Sequence, residues 1–175
     1  MKRLIATCVT FSCLATGAFA NKVYVSNEKG NTVTVLDSDN WEVLTEFPAG
    51  NRPRGITISP DGTKLYVCAS DDDLVRVFDP ETMEELYTLP SGPDPELFVL
   101  HPSGNPLYIA NEDDAITTVV DTQSREVVRQ ISVGIEPEGM AVSPDGTIAI
   151  TTSETTNMAH WIDTATGDLI ANTLV

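Results

Sequence analysis

The sequence predicts an all-β fold: a β-propeller of four-stranded antiparallel blades, present as an open partial ring of three full blades plus one three-stranded blade. Three observations predict it. The stretch Pro53–Cys68 reads as strand, tight turn, strand, and it returns 42 residues on at Pro95–Ile109 and again at Pro137–Ile150. A period of about 40–45 residues carrying several short strands marks a propeller. Each period also holds four short β-branched, aromatic or apolar runs between turn residues. Finally, Asp37, Asp79, Asp121 and Asp163 recur at one place in the unit, closing its third strand.

Taken in order, residues 1–20 fit a secretory signal peptide. Lys2 and Arg3 form the basic start, Leu4 to Gly17 the apolar stretch, and Ala18-Phe19-Ala20 the small-residue cleavage site. The run is too short to span a bilayer, so no stable membrane anchor is expected, and the destination is the periplasm. Cleavage removes two of the three cysteines and lowers the net charge from −16 to −18. Cys68 then stands alone on a strand, where a small buried hydrophobe is the expected role.

Residues 21–175 form the propeller portion. Val23–Val25 aligns with Leu65–Val67, the second strand of the unit, so the first blade lacks its innermost strand; Thr32–Leu36 and Val43–Phe47 supply its other two. Full units follow at about 55–90, 97–132 and 139–174. In the first of them, Gly55–Ser59 is apolar or small throughout, which suits a strand packed on both faces. Pro60, Asp61 and Gly62 turn the chain, with Gly62 at positive φ. Leu65–Val67, Leu74–Phe78 and Glu85–Leu89 complete the blade. The recurrent aspartates cap the turns that follow them. A chain of this blade count reads as the N-terminal half of a longer propeller, and its uncovered terminal blades predict that it self-associates.

The segments Leu65-Tyr66-Val67-Cys68-Ala69 and Leu107-Tyr108-Ile109-Ala110-Asn111, each after a Pro-Asp-Gly or Pro-Ser-Gly turn, resemble the YVTN repeat of bacterial propellers. Val23–Asn27 is a third copy, and the likeness runs over 22–175. Through Ser153–Asp163 and Asn21–Asn27 the chain is similar to periplasmic propeller proteins associated with PQQ-dependent alcohol catabolism. That resemblance implies about seven blades in the whole protein and transfers no catalytic residue.

The loops between second and third strands and those between blades belong to one rim. They carry Glu28, Asp71, Asp72, Asp73, Asp94, Glu96, Glu112, Asp113, Asp114, Glu136, Glu138 and Glu154 against Lys29, Arg52 and Arg54. Such a field steers a basic partner inward and repels nucleic acid, so none is expected to bind. The expected partner is a basic periplasmic protein, either a c-type cytochrome or a quinoprotein dehydrogenase. Asp71, Asp72, Asp73, Asp113 and Asp114 are its candidate docking residues. The competing reading of these acids is a solvated surface that keeps an exported chain soluble.

Arg54, Glu96 and Glu138 occupy equivalent positions just before the innermost strands. They are candidates for contacts to a small polar ligand at the channel mouth, against the alternative of a rim of salt bridges. The aspartate runs lack the spacing of a dedicated calcium loop, and His101 and His160 come from different blade layers, so no metal is expected. Asp163–Asp168 matches the Asp-x-x-Thr-Gly turn of PQQ-dependent dehydrogenases, but Ala171 stands where that motif has tryptophan. With no haem attachment motif, serine nucleophile motif or phosphate loop, no cofactor and no catalytic residue is expected. The reading is a binding accessory of alcohol oxidation; the alternative is a cofactor-carrying or enzymatic propeller, similar to those of denitrification reductases or lactonases.

Overall fold

The computed structural model describes residues 21–175; the signal-peptide assignment lies outside them. Four antiparallel sheets follow one another along the chain. Blade 1 holds β1 (Lys22–Asn27), β2 (Thr32–Asp37) and β3 (Val43–Pro48). Blade 2 holds β4 (Pro53–Ile58), β5 (Leu65–Ala69), β6 (Leu74–Phe78) and β7 (Glu85–Pro90). Blade 3 is β8 (Pro95–Leu100), β9 (Leu107–Asn111), β10 (Ile116–Asp121) and β11 (Glu126–Ser132). Blade 4 is β12 (Pro137–Val142), β13 (Ile148–Ser153), β14 (Met158–Asp163) and β15 (Leu169–Leu174). Each strand pairs with its sequence neighbour, so every blade is an up-and-down meander, and the ring is open.

Blade is held to blade by side chains that alternate between the two faces of the second and third strands. Leu65 and Val67 of β5 meet Val33, Val35 and Phe47 of blade 1, where Phe47 and Phe78 stack edge to face at 5.1 Å. Tyr66 and Cys68 point the other way and join Phe98, Leu107 and Ile109 of blade 3. Tyr108, Val119 and Ile131 then pack on Ala149 and Ile162 of blade 4. Burying each such Leu, Val or Phe side chain stabilises the stack by about 1.5–3 kcal/mol. Cys68 is fully buried, as its strand position predicts, and burial pushes its thiol up.

The expectation for the innermost strand needs correcting. β5 and β9, the second strands, are buried at every residue, whereas β4 has Ile58 exposed and Arg54, Ile56 and Thr57 half-buried. β8, flanked by β4 and β12, is buried at four of its six residues, whereas β4 has β8 on one side and no innermost strand of blade 1 on the other.

The turns behave as their residues dictate. Asp39 N–H donates to Asp37 Oδ1 at 2.7 Å, and Asp79, Asp121 and Asp163 accept two backbone N–H groups each. Gly62 takes φ +71° and Gly146 φ +75°, each donating its N–H back to a serine carbonyl at 2.8 Å. At Asp163–Asp168 the same third hairpin forms as in the other blades: Gly167 N–H closes on the Asp163 carbonyl at 2.7 Å.

Candidate functional site

The loops joining blades and those joining second to third strands share one rim, here called the mouth rim. Repeating backbone bonds fix them: Ser70 N–H to the Arg52 carbonyl, Glu112 to Asp94, and Glu154 to Glu136. Arg52, Asp94 and Glu136 occupy one repeat position, all in the left-handed region, with φ of 52°, 45° and 55°. From this position Arg52 reaches forward to Asp94 at the next blade, whereas Glu136 accepts the Thr155 hydroxyl of its own blade. Gly55 permits the close approach that follows, because a Cβ there would sit 2.9 Å from the Glu96 carbonyl.

Arg52 is the hub of this rim. Its guanidinium bonds Glu28 of the β1–β2 loop at 3.2 Å, Asp94 at 2.8 Å and Glu96 at 3.0 Å, and lies 3.9 Å from Asp71. Arg54 pairs with the second Glu96 oxygen and reaches Glu28 at 3.5 Å. Thus two arginines of blade 2 clamp two acids of blade 3. The Glu96 side chain is fully buried, and burying one unpaired carboxylate would cost several kcal/mol. Arg54 and Glu96, two of the predicted ligand contacts, are therefore in direct contact with each other.

Glu138 is placed differently. At the blade 3–blade 4 junction, Asp94, Glu96 and Glu112 bring carboxylate oxygens within 4.8 Å of one another, and the charge of Glu138 acts on Glu112. Blade 4 brings Glu136 and Glu138 where blade 2 brings Arg52 and Arg54. Burial pushes Glu96 above the ordinary carboxylate range; Arg54 and Arg52 pull it back, and Asp94 and Glu112 push it further up. Burial raises Glu112 as well. Arg52, by contrast, holds the Glu28 carboxyl below its ordinary value through their hydrogen bond.

The five aspartates grouped by sequence separate into two sets. Asp72 is tied to Arg76 at 2.9 Å and to both the backbone and side-chain amides of Asn51, at 3.1 and 2.7 Å. Asp73 accepts the Asp94 N–H at 3.0 Å. Both hold blade connections together. Asp71, Asp113 and Asp114 are exposed, and neither Asp113 nor Asp114 enters an ion pair among the described residues.

His101 and His160 do not come together. His160 Nε2 accepts the Gly134 N–H at 2.9 Å beside Ser153 Oγ at 3.1 Å, so its Nδ1 donates to Asn172 Oδ1 at 2.8 Å, pinning a blade connection. His101 faces the other rim, where its Nδ1 accepts the Ser103 N–H and its Nε2 donates to the Gly146 carbonyl at 3.2 Å. Sequence reasoning missed the Arg52 hub and the part of Glu112. The available signal was charge reversal one period apart, from Arg52 and Arg54 to Asp94 and Glu96.

No protein-family model matches the chain, and no curated protein matches it. A solved structure to which it is similar is hydrazine synthase from Kuenenia stuttgartiensis, with a TM-score of 0.82 and 28% identity. The match covers 88% of this chain and 46% of that one, so this chain spans less than half the length of the protein it matches. The likeness and the four meander sheets agree on a propeller-like fold.

Proposed function

We propose that the chain is a binding module and not a catalyst: a periplasmic, YVTN-type propeller portion whose mouth rim docks a basic partner. The partner class is a c-type cytochrome or a quinoprotein dehydrogenase working in PQQ-dependent alcohol oxidation, which rests on the sequence resemblance. One observation carries the docking reading. The rim's arginines are consumed by the Glu28, Asp94 and Glu96 pairs, while exposed Asp113, Asp114 and Glu154 and half-buried Glu138 have no cation partner among the described residues. Their field is left for a partner to neutralise. Arg54 and Glu138 border the same mouth and are proposed contacts for a small polar ligand there, with fully buried Glu96 holding Arg54 in place.

A second reading, a metal-carrying or enzymatic propeller, draws on the Asp94–Glu96–Glu112 group and on the structural neighbour being a synthase. It is disfavoured by the two guanidiniums already bound to both Glu96 oxygens, since a metal ion there would have to displace them. The test is a titration of the purified chain with a basic cytochrome c. The proposal expects binding at low ionic strength that weakens steeply toward about 0.15 M salt. Salt-independent binding, or a haem or quinone absorbance in the purified chain itself, favours the second reading.

A further inference from the structure

On the rim opposite the mouth, the clefts between neighbouring blades repeat with the 42-residue period, but their chemistry differs. Between blades 1 and 2, Lys22 Nζ lies 2.9 Å from Glu81 Oε2 and 3.0 Å from the Pro80 carbonyl. The Tyr24 hydroxyl donates to that same carbonyl at 3.0 Å. Lysine, tyrosine and carboxylate together bolt this cleft.

One repeat on, Lys64 and Tyr66 stand at the positions of Lys22 and Tyr24, while Thr122 and Gln123 replace Pro80 and Glu81. The acid has become an amide. Lys64 has no ion-pair partner among the described residues, and neither has Arg125, whose guanidinium lies 3.8 Å over the Tyr87 ring. Thr122 is drawn into its own blade, its N–H donating to Asn105 Oδ1 at 2.8 Å and its hydroxyl to the Gly104 carbonyl at 3.1 Å. The cleft consequently stands open, with a volume of about 410 Å³ lined by Lys64, Tyr66, Tyr87, Gln123 and Arg125. That size suits a small ligand.

Asp61 also borders the cleft and its charge acts on Lys64, but it forms no ion pair with Lys64, being held in its own turn. Its Oδ1 takes the Ser59 hydroxyl at 2.6 Å and the Thr63 hydroxyl and N–H at 2.8 and 3.1 Å. Asp145 makes the same three bonds in blade 4, where Ile148 replaces the lysine, so the turn alone accounts for the bonding. Two cations with no ion pair among the described residues therefore line one cleft of a chain whose net charge is −16.

We propose that the cleft between blades 2 and 3 binds a small organic carboxylate, whose carboxylate group stands to Lys64 as that of Glu81 stands to Lys22. Arg125, held over the Tyr87 ring, supplies a second cation at the cleft. The site is independent of the mouth rim and of any protein partner docked there.

The experiment follows amide chemical shifts of the full chain on titration with benzoate, with benzyl alcohol as a neutral probe of similar shape. Saturable shifts around Lys64, Tyr87 and Gln123 are expected, with benzyl alcohol at least tenfold weaker. Gln123→Glu, which rebuilds the blade 1–blade 2 bolt, should weaken benzoate at least tenfold, as should Lys64→Met; Lys22→Met should leave it unchanged. The proposal is overturned by shifts that do not saturate, by equal binding of the two probes, or by Gln123→Glu binding benzoate as the parent does.

Discussion

The two rims are built from the same repeat and use it in opposite ways. On the rim opposite the mouth, the turn aspartates recur as the same residue type, and their bonds close within one loop. Asp37, Asp79, Asp121 and Asp163 each cap their own hairpin, and Asp61 and Asp145 make the same three contacts 84 residues apart. On the mouth rim, equivalent positions change sign, and the bonds run between blades: Arg52 and Arg54 of blade 2 hold Asp94 and Glu96 of blade 3. Where the repeat is kept it builds the blade. Where it is broken, it joins blades or leaves charge facing outward.

The contrast can be broken at its strongest point first. Arg54→Met leaves buried Glu96 with one cation and should destabilise the chain by about 3 kcal/mol, read from denaturant melts. In a double-mutant cycle with Glu96→Leu, a coupling above about 1 kcal/mol is expected; additive effects would show that the clamp holds nothing. Glu138→Gln, one repeat on and without a cation, should change stability by under about 0.5 kcal/mol.

Next come the turns. Gly146→Val forces a β-branched residue into φ +75° and drives its Cβ into the His101 ring, whereas Gly62→Val meets the same strain in open space. Strain alone costs about 1–3 kcal/mol, so Gly146→Val should be the more destabilising of the two. Equal melting temperatures would mean that His101 does not stitch blade 3 to blade 4. Asp163→Ala removes two bonds to backbone N–H groups and should cost about 1 kcal/mol.

A smaller effect is expected from pH. Glu96 has its folded pKa raised to about 7 from an ordinary 4.5. The folded state therefore holds the proton more tightly, and the stability this contributes is full below pH 4.5 and lost as pH rises through about 7. Melting temperatures of the parent relative to Glu96→Gln should fall across that interval. A difference that stays flat, or grows toward neutral pH, would show that Arg52 and Arg54 keep Glu96 ionised throughout.

The turns of the rim opposite the mouth were legible in the sequence because their causes are local: a proline, an aspartate and a glycine at fixed offsets need no partner from elsewhere. The blades, their order and the buried Cys68 were legible for the same reason, through period and alternation. The packing of β4 was misread because apolar composition does not say whether the neighbouring blade supplies an innermost strand to cover it. The mouth was half legible. Its acidity could be counted, but Asp72 and Asp73 look like Asp71 in a sequence and become structural only when Arg76, Asn51 and the Asp94 amide arrive from other loops. The open blade 2–blade 3 cleft was invisible until Lys64 could be set against Lys22 with Glu81 beside it.

The central claim, that the mouth rim's outward acids steer a basic partner, is tested most directly by stopped-flow association rates with a basic cytochrome c. The variant is Asp71, Asp113 and Asp114 changed together to Asn, which spares the structural Asp72 and Asp73. Steering predicts an association rate constant at least tenfold lower than the parent's at about 0.01 M salt, with the two converging near 0.15 M. Equal rates at low salt for a variant that melts like the parent would contradict it.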